Sequence, residues 1–209
     1  MGKITNEKII TKEFDVFNDS DSSVRFVLEG TEVPSHIVVT FDPLELQPKQ
    51  KGVIRLVYDP IKRNSLGYQN DKLKIVTNEQ AEGAKELEVV ATIEEYFPPM
   101  TEVELANAPK LSIDKKLHDF GRIAAGSHLE AIFTLTNVGK SDLKIRQTQS
   151  NCDCVLAAYD KDTLKPGESV KLKVTFDSKG RRGRQYKNVA IFSNDPIGPT
   201  QVVNIRADL

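Results

Sequence analysis

The clearest alternation in the chain runs from Leu164 to Asp177, where Val170, Leu172, Val174 and Phe176 fall on every second position with Lys171, Lys173 and Thr175 between them. That is the period of a strand with one face on a core and one in water. A Pro-Gly turn at Pro166-Gly167 feeds it. The same unit stands earlier as Leu46-Gln47-Pro48-Lys49, leading through Val53, Ile54, Leu56 and Val57 to Tyr58-Asp59. In both copies Leu-x-Pro is followed, ten residues after the proline, by an aromatic residue and then Asp.

Short strands surround each copy at a spacing of about ten residues. In the first half the pattern predicts strands ending at Phe17 (with Phe14 and Val16 alternating against Glu13 and Asp15) and over 24–28, 37–41, 73–76 and 87–93. Asn18 to Ser23 reads as a turn and residues 60–67 as a loop. In the second half strands are predicted over 111–114, 118–126, 131–136, 143–145, 189–192 and 202–206, with turns at Asn137-Val138-Gly139-Lys140 and Ser193-Asn194-Asp195-Pro196.

The landmarks repeat at a nearly fixed offset: 119 from Asn18 to Asn137, 118 from Leu46 to Leu164 and 116 from Asn78 to Asn194. Seven or so short strands per unit with almost no helical period predict an all-β protein of two tandem immunoglobulin-like β-sandwiches. Their bounds are residues 1–95 and 111–209, joined by a linker over 96–110 that contains Pro98 and Pro99. Phe120 precedes Asn137 by 17 residues, and the same step back from Asn18 reaches Met1. The first sandwich is therefore expected to lack its first strand, unless residues 3–10 supply it. Such a gap exposes unpaired backbone groups that another chain or a preceding segment would close, and predicts a longer natural protein.

A length of 209 residues suits two domains that each bury their own core. Hydrophobic content of 39% and charged content of 28% are those of an ordinary globular chain. The net charge of −1 hides an asymmetry: residues 1–97 carry 12 basic against 17 acidic side chains, and residues 98–209 carry 17 against 13. An acidic half is poor equipment for following a nucleic-acid backbone, so no nucleic-acid partner is expected. Met1-Gly2-Lys3 opens onto a mixed polar segment, so no signal peptide is visible.

The second half carries Asp119-Phe120-Gly121-x-Ile123-x-x-Gly126, Asn137-x-Gly139, Cys152-x-Cys154, Pro166-Gly167-Glu168, Phe176-Asp177, Gly183 and Ser193-Asn194-Asp195-Pro196. This run resembles the bacterial domain of unknown function family 1573 over residues 111–209. The first half lacks the Phe-Gly-x-Ile strand, the cysteines and the Pro-Gly-Glu, and is similar to the wider immunoglobulin-like class of the major-sperm-protein and pilus-chaperone folds. The resemblance implies an exported, periplasmic or envelope-associated protein without known catalytic activity.

Cys152-Asp153-Cys154 is the one constellation that suggests chemistry. In an extended strand its Cα atoms would stand about 6.5–7 Å apart, at the limit for a disulfide, so a bridge requires a local bend. Three readings stay open: buried thiols used as small apolar residues, a strained and readily reduced disulfide, or two thiolates on a soft cation such as Cu(I) or Zn²⁺. His118 and His128 would have to fold over to complete a zinc site. Lys179, Arg181, Arg182 and Arg184 concentrate positive charge on a hairpin tip, a candidate anion-binding loop. The three histidines lie beside turns and read as surface residues. No nucleophile elbow, phosphate loop, metalloprotease or dinucleotide motif occurs. The expectation is a non-enzymatic envelope scaffold or protein-binding module, without a cofactor, that meets a protein partner through exposed strand edges. Its alternative is a thiol redox or soft-metal protein using Cys152 and Cys154.

Overall fold

The computed structural model describes residues 1–79 and 83–209. The chain divides into two compact units, Met1–Tyr96 and Phe97–Leu209. Almost every element in both is a β-strand, as the alternation requires.

Unit 1 contains β1 (Gly2–Thr5), β2 (Ile10–Phe17), β3 (Val24–Glu32), β4 (Ile37–Asp42), β5 (Glu45–Leu46), β6 (Lys51–Tyr58), α1 (Pro60–Arg63), β7 (Gly67–Thr77) and β8 (Ala84–Glu94). One sheet has the order β1-β8-β7-β3-β5 and the other β2-β6-β4. The earlier of the two repeated strands is β6, whose Ile54, Leu56 and Tyr58 turn inward. The stretch after Asp59, expected as a loop, starts with one helical turn. The Asp59 side chain accepts from the Lys62 N–H, Pro60 occupies the first turn and Asn64 ends it in the left-handed region.

Unit 2 contains α2 (Glu102–Asn107), β9 (Leu111–Ile113), β10 (Leu117–Arg122), β11 (His128–Asn137), β12 (Leu143–Ser150), β13 (Val155–Ala158), β14 (Thr163–Leu164), β15 (Ser169–Asp177), β16 (Arg184–Ser193) and β17 (Thr200–Asp208). Its sheets run β10-β17-β16-β12-β14 and β13-β15-β11-β9. Between them lies one continuous core that includes Leu111, Phe133, Leu135, Leu172, Phe176 and Ile191. Residues 97–110, expected as linker, lie with unit 2. Thr101 and Glu104 form a reciprocal capping box that starts α2, and the chain then crosses the Asn137 turn, where the Val138 N–H donates to Lys110 O and the Lys140 N–H to Ala108 O.

The repeated landmarks are the parts that close turns. Asn18 Nδ2 donates to Ser22 O, Leu46 O and Gln47 O at 2.8–3.0 Å, and Asn137 Nδ2 to Ser141 O and Leu164 O at 2.8 Å. Asn78 and Asn194 each exchange hydrogen bonds with the backbone of the next strand, at Arg25 and Lys144. One buried amide thus satisfies carbonyls that would otherwise be orphaned at the ends of strands. The offsets are those of a shared fold.

The first sandwich is expected to lack its first strand unless residues 3–10 supply it, and Gly2–Thr5 supply part of one. In unit 2 the opening stretch is split: β9 pairs antiparallel with β11, and β10 pairs parallel with β17. In unit 1, β1 supplies the parallel half by pairing with Ala91–Glu94 of β8. Ile4 alternates inward there, which is enough to seat four residues. A counterpart of β9 is absent among the described residues, and β2 pairs with β6 alone.

Candidate functional site

The absent counterpart of β9 leaves a defined opening in unit 1. At the offset of 119, Phe14 and Val16 of β2 and Asn18 just after it stand where Phe133, Leu135 and Asn137 stand in β11. Phe133 and Leu135 are fully buried, whereas Phe14 keeps 51% of its surface exposed and Val16 is half-buried. Two adjoining clefts of about 700 and 460 Å³ enter the sandwich beside β2 and share Val16, Ile54, Ile75 and Leu87. Their walls are mostly apolar side chains, and Glu79, Lys85 and Glu86 stand at the rim.

The backbone of β2 has a known direction. The Asn18 N–H donates to Gln50 O and Asn18 O accepts from Lys49 N–H, so Asn18 faces β6. Neighbouring residues alternate, so Phe17 and Asp15 direct their N–H and C=O groups away from β6. In unit 2 the same outward positions are Thr136 and Thr134, and there β9 meets them: Thr136 pairs with Ser112, and the Asp114 N–H donates to Thr134 O. The polar fixtures of β9 also have counterparts. The Leu111 N–H donates to buried Asp195 Oδ2 at 2.9 Å, and Gln201 Nε2 donates to Leu111 O at 2.7 Å. At the offset of 116 these positions are Glu79 and Lys85, whose charged groups lie 3.4 Å apart.

Cys152-Asp153-Cys154 occupies the turn between β12 and β13 and not a strand. That turn supplies the bend the pairing requires: the Cα atoms are 5.1 Å apart and the sulfurs form a disulfide. Ser150 Oγ holds the turn by donating to Cys152 O and Val155 O. The basic loop, separate in sequence, reaches it. Arg181 Nη2 lies 3.4 Å from Cys152 Sγ, and the Cys154 N–H donates to the same sulfur at 3.2 Å. Arg184 pairs with Asp208 at 3.2 Å but is itself exposed, as are Lys179 and Arg182 of the same loop. With the sulfurs joined there is no thiolate here to grip a cation; a soft-metal site would need the reduced pair. Among the described residues no three His, Cys, Asp or Glu side chains come together as a ligand set.

The reading of all three histidines as surface residues is corrected at one of them. His36, just before β4, has a side chain only 10% exposed, with Nε2 3.1 Å from Asp71 Oδ2. Arg63 Nε stands 3.2 Å from Asp71 Oδ1, and Tyr58 Oη donates to Asp71 Oδ2 at 2.9 Å. Both nitrogens sit close enough for charge pairing but off the hydrogen-bonding direction. Burial first, and then the Asp71 carboxylate, push the Tyr58 phenol well above its ordinary range. The four residues come from four separate segments, so no local motif announces them. His118 on β10 packs its ring against Phe120. Burial and then neighbouring Lys115 push its imidazole below the ordinary value of 6.5. His128 is exposed beside Asp177.

Residues 111–209 match the family DUF1573, a protein of unknown function. No curated protein matches the chain. Among solved structures, a protein of unknown function from Porphyromonas gingivalis is 20% identical with a TM-score of 0.69, the match covering 99% of this chain and 94% of that one. The ASH/PapD-like domain of human CEP192 is 17% identical with a TM-score of 0.42, over 55% of this chain and 93% of that chain. The CupB2 chaperone of Pseudomonas aeruginosa is 10% identical with a TM-score of 0.31, over 97% and 95%. The first of these likenesses is one of fold across both units.

Proposed function

We propose that this chain is a non-enzymatic, exported protein of the cell envelope, a scaffold whose sandwiches bind a protein partner. The observation that carries the reading is β2: a strand edge unpaired among the described residues, beside an apolar cleft, in a unit whose sister closes the same place. Unsatisfied backbone groups next to exposed apolar surface are how sheets recruit another polypeptide. The test is in-cell crosslinking of the exported chain against a variant carrying Phe14→Asp and Phe17→Asp. A crosslinked envelope protein that disappears in the variant is the expected result. Equal recovery with both chains, or no crosslinked protein at all, contradicts it.

A second reading is favoured by Arg181 at the cysteine turn. A guanidinium and a backbone N–H aimed at Cys152 Sγ would stabilise a thiolate there once a dithiol donor has given the pair two electrons and become a disulfide itself. In that state Cys152 attacks one sulfur of a partner disulfide and expels the other as a thiolate. Cys154 then displaces the partner from the mixed disulfide, so the partner gains two electrons and the Cys152–Cys154 bond re-forms. Oxidised glutathione with the Cys154→Ser chain is the test. A mixed disulfide at Cys152 that forms more slowly in the Arg181→Gln background supports this chemistry, and an equal rate removes it.

A further inference from the structure

The opening beside β2 is specific enough to describe what fills it, an inference that rests on the binding reading above. We infer that unit 1 binds an extended segment of a partner protein with two apolar residues on alternate positions and basic residues on both sides. The segment lies antiparallel to β2, with its middle residue opposite Phe17.

The direction and register come from unit 2, where the equivalent place is filled. Leu111 pairs with Asn137 and Ile113 with Leu135. Both side chains turn inward, and exposed Ser112 exchanges backbone bonds with Thr136. Transferred by the offset of 119, the two apolar residues stand opposite Asn18 and Val16, and the residue between them meets the outward N–H and C=O of Phe17. The clefts of about 700 and 460 Å³ hold apolar side chains of that size. Phe14 and Phe17, each with 51% of its surface exposed, lose it to such a ligand.

Polar groups at the rim complete the fit. Asp195 accepts the N–H of Leu111 in unit 2, and Glu79 has the same position relative to the cleft of unit 1. Gln201 donates to the carbonyl of Leu111, and Lys85 is the donor at its counterpart. The preference for basic flanks has two sources. In unit 2 the inserted strand is bracketed by Lys110 and by Lys115-Lys116, and Lys115 Nζ lies 5.4 Å from the centre of the Phe133 ring, the counterpart of Phe14. In unit 1 the surrounding charge is acidic: residues 1–97 carry 17 acidic against 12 basic side chains, and Asp15 on β2 and Glu86 at the rim are exposed. A lysine on either side of the apolar pair therefore meets opposite charge, which favours encounter and orients the segment.

The probe is a synthetic peptide with the sequence of residues 109–117 of this chain, Pro-Lys-Leu-Ser-Ile-Asp-Lys-Lys-Leu, titrated into the intact protein. Saturable binding is expected, with slowed amide exchange at Phe17. Replacing the peptide's Leu111 and Ile113 by Asp, or Phe14 of the protein by Asp, should weaken it at least about tenfold, the effect of a charge at a buried apolar anchor. Phe14 is exposed in the free chain, so its replacement leaves the sandwich folded, and unchanged dispersion of the other amide signals verifies this. No binding, or binding indifferent to the Asp peptide, overturns the inference. So does a concentration-dependent mass abolished by Phe14→Asp, which would give the slot to a second copy. Loss of peptide binding in a form extended at its N-terminus would give it to the chain itself. If crosslinking recovers an envelope partner that the chain with Phe14→Asp and Phe17→Asp loses while the peptide fails, the binding reading stands and the register and basic-flanked sequence inferred for the segment do not.

Discussion

β2 and β11 are the same strand of the same fold, and they live in different surroundings. Phe133 on β11 has none of its surface exposed, and Phe14, its counterpart on β2, has 51%. The difference does not lie in the strands' own sequences, which both alternate. It lies in residues 111–120, which lay β9 along one sheet and Phe120 against the core of unit 2. One short segment decides whether an apolar strand is core or exposed surface, because a strand's burial depends on both its edges and its face.

The comparison breaks most visibly if the matched phenylalanines are removed. Phe133→Ala is expected to cost unit 2 about 3–5 kcal/mol, the range for emptying a well-packed aromatic site. Phe14→Ala should cost unit 1 less than about 1 kcal/mol, as for an exposed side chain. Denaturant unfolding followed by amide signals of each unit reads both, and equal losses would mean that β2 is closed in solution. Unit 1 has its own dependence in the His36, Tyr58, Arg63 and Asp71 cluster. At the equivalent places unit 2 has Phe176 and Lys187. Asp71→Ala leaves Arg63 and the buried phenol of Tyr58 without their carboxylate and should cost about 3 kcal/mol, read as lost amide protection confined to unit 1.

The disulfide, by contrast, contributes little to the fold of unit 2. Its partners are separated by 2 in sequence, and closing so short a loop is worth about 1.5 kcal/mol. A chain with Cys152→Ser and Cys154→Ser should therefore stay folded, with a modest drop in the denaturant midpoint. A smaller effect separates the units by pH. Because folding lowers the imidazole pKa of His118, the folded state binds fewer protons than the unfolded one. Its contribution to unit 2 is present above the ordinary value of 6.5 and is lost as the pH falls from there through the folded pKa. His118→Gln should flatten that part of the pH–stability curve of unit 2. The smallest effect concerns the repeated turn, where Lys49 holds a φ of 59° and Gly167 one of 82°. Lys49→Gly should stabilise unit 1 by about 0.5 kcal/mol, the relief of a left-handed non-glycine being partly offset by a more flexible unfolded chain.

Much of the fold was legible because its devices are local. The alternation at Val170, Leu172, Val174 and Phe176 and the recurrent Asn landmarks depend on neighbours a few residues away, and they located both sandwiches. The capping box of Thr101 and Glu104 was also there to read, but Pro98 and Pro99 drew the stretch toward a linker. The site was legible in part. A short first unit could be inferred from Phe120 falling opposite Met1, yet not which half of the opening strand β1 would supply, since that depends on register with β8. Arg181 against Cys152 and the four residues around Asp71 were hidden for the same reason: the partners are 29 residues apart in one case and spread over 36–71 in the other, and only strand pairing brings them together.

Amide exchange at Phe17 and Thr136, measured in one chain with and without the peptide of residues 109–117, tests the central claim most directly. The outward N–H of Thr136 pairs with β9, and among the described residues that of Phe17 has no strand partner. Slow exchange at Thr136 throughout, with fast exchange at Phe17 that slows when the peptide is added, is the predicted result. Slow exchange at Phe17 in the free, monomeric chain, or fast exchange that the peptide leaves unchanged, would contradict it.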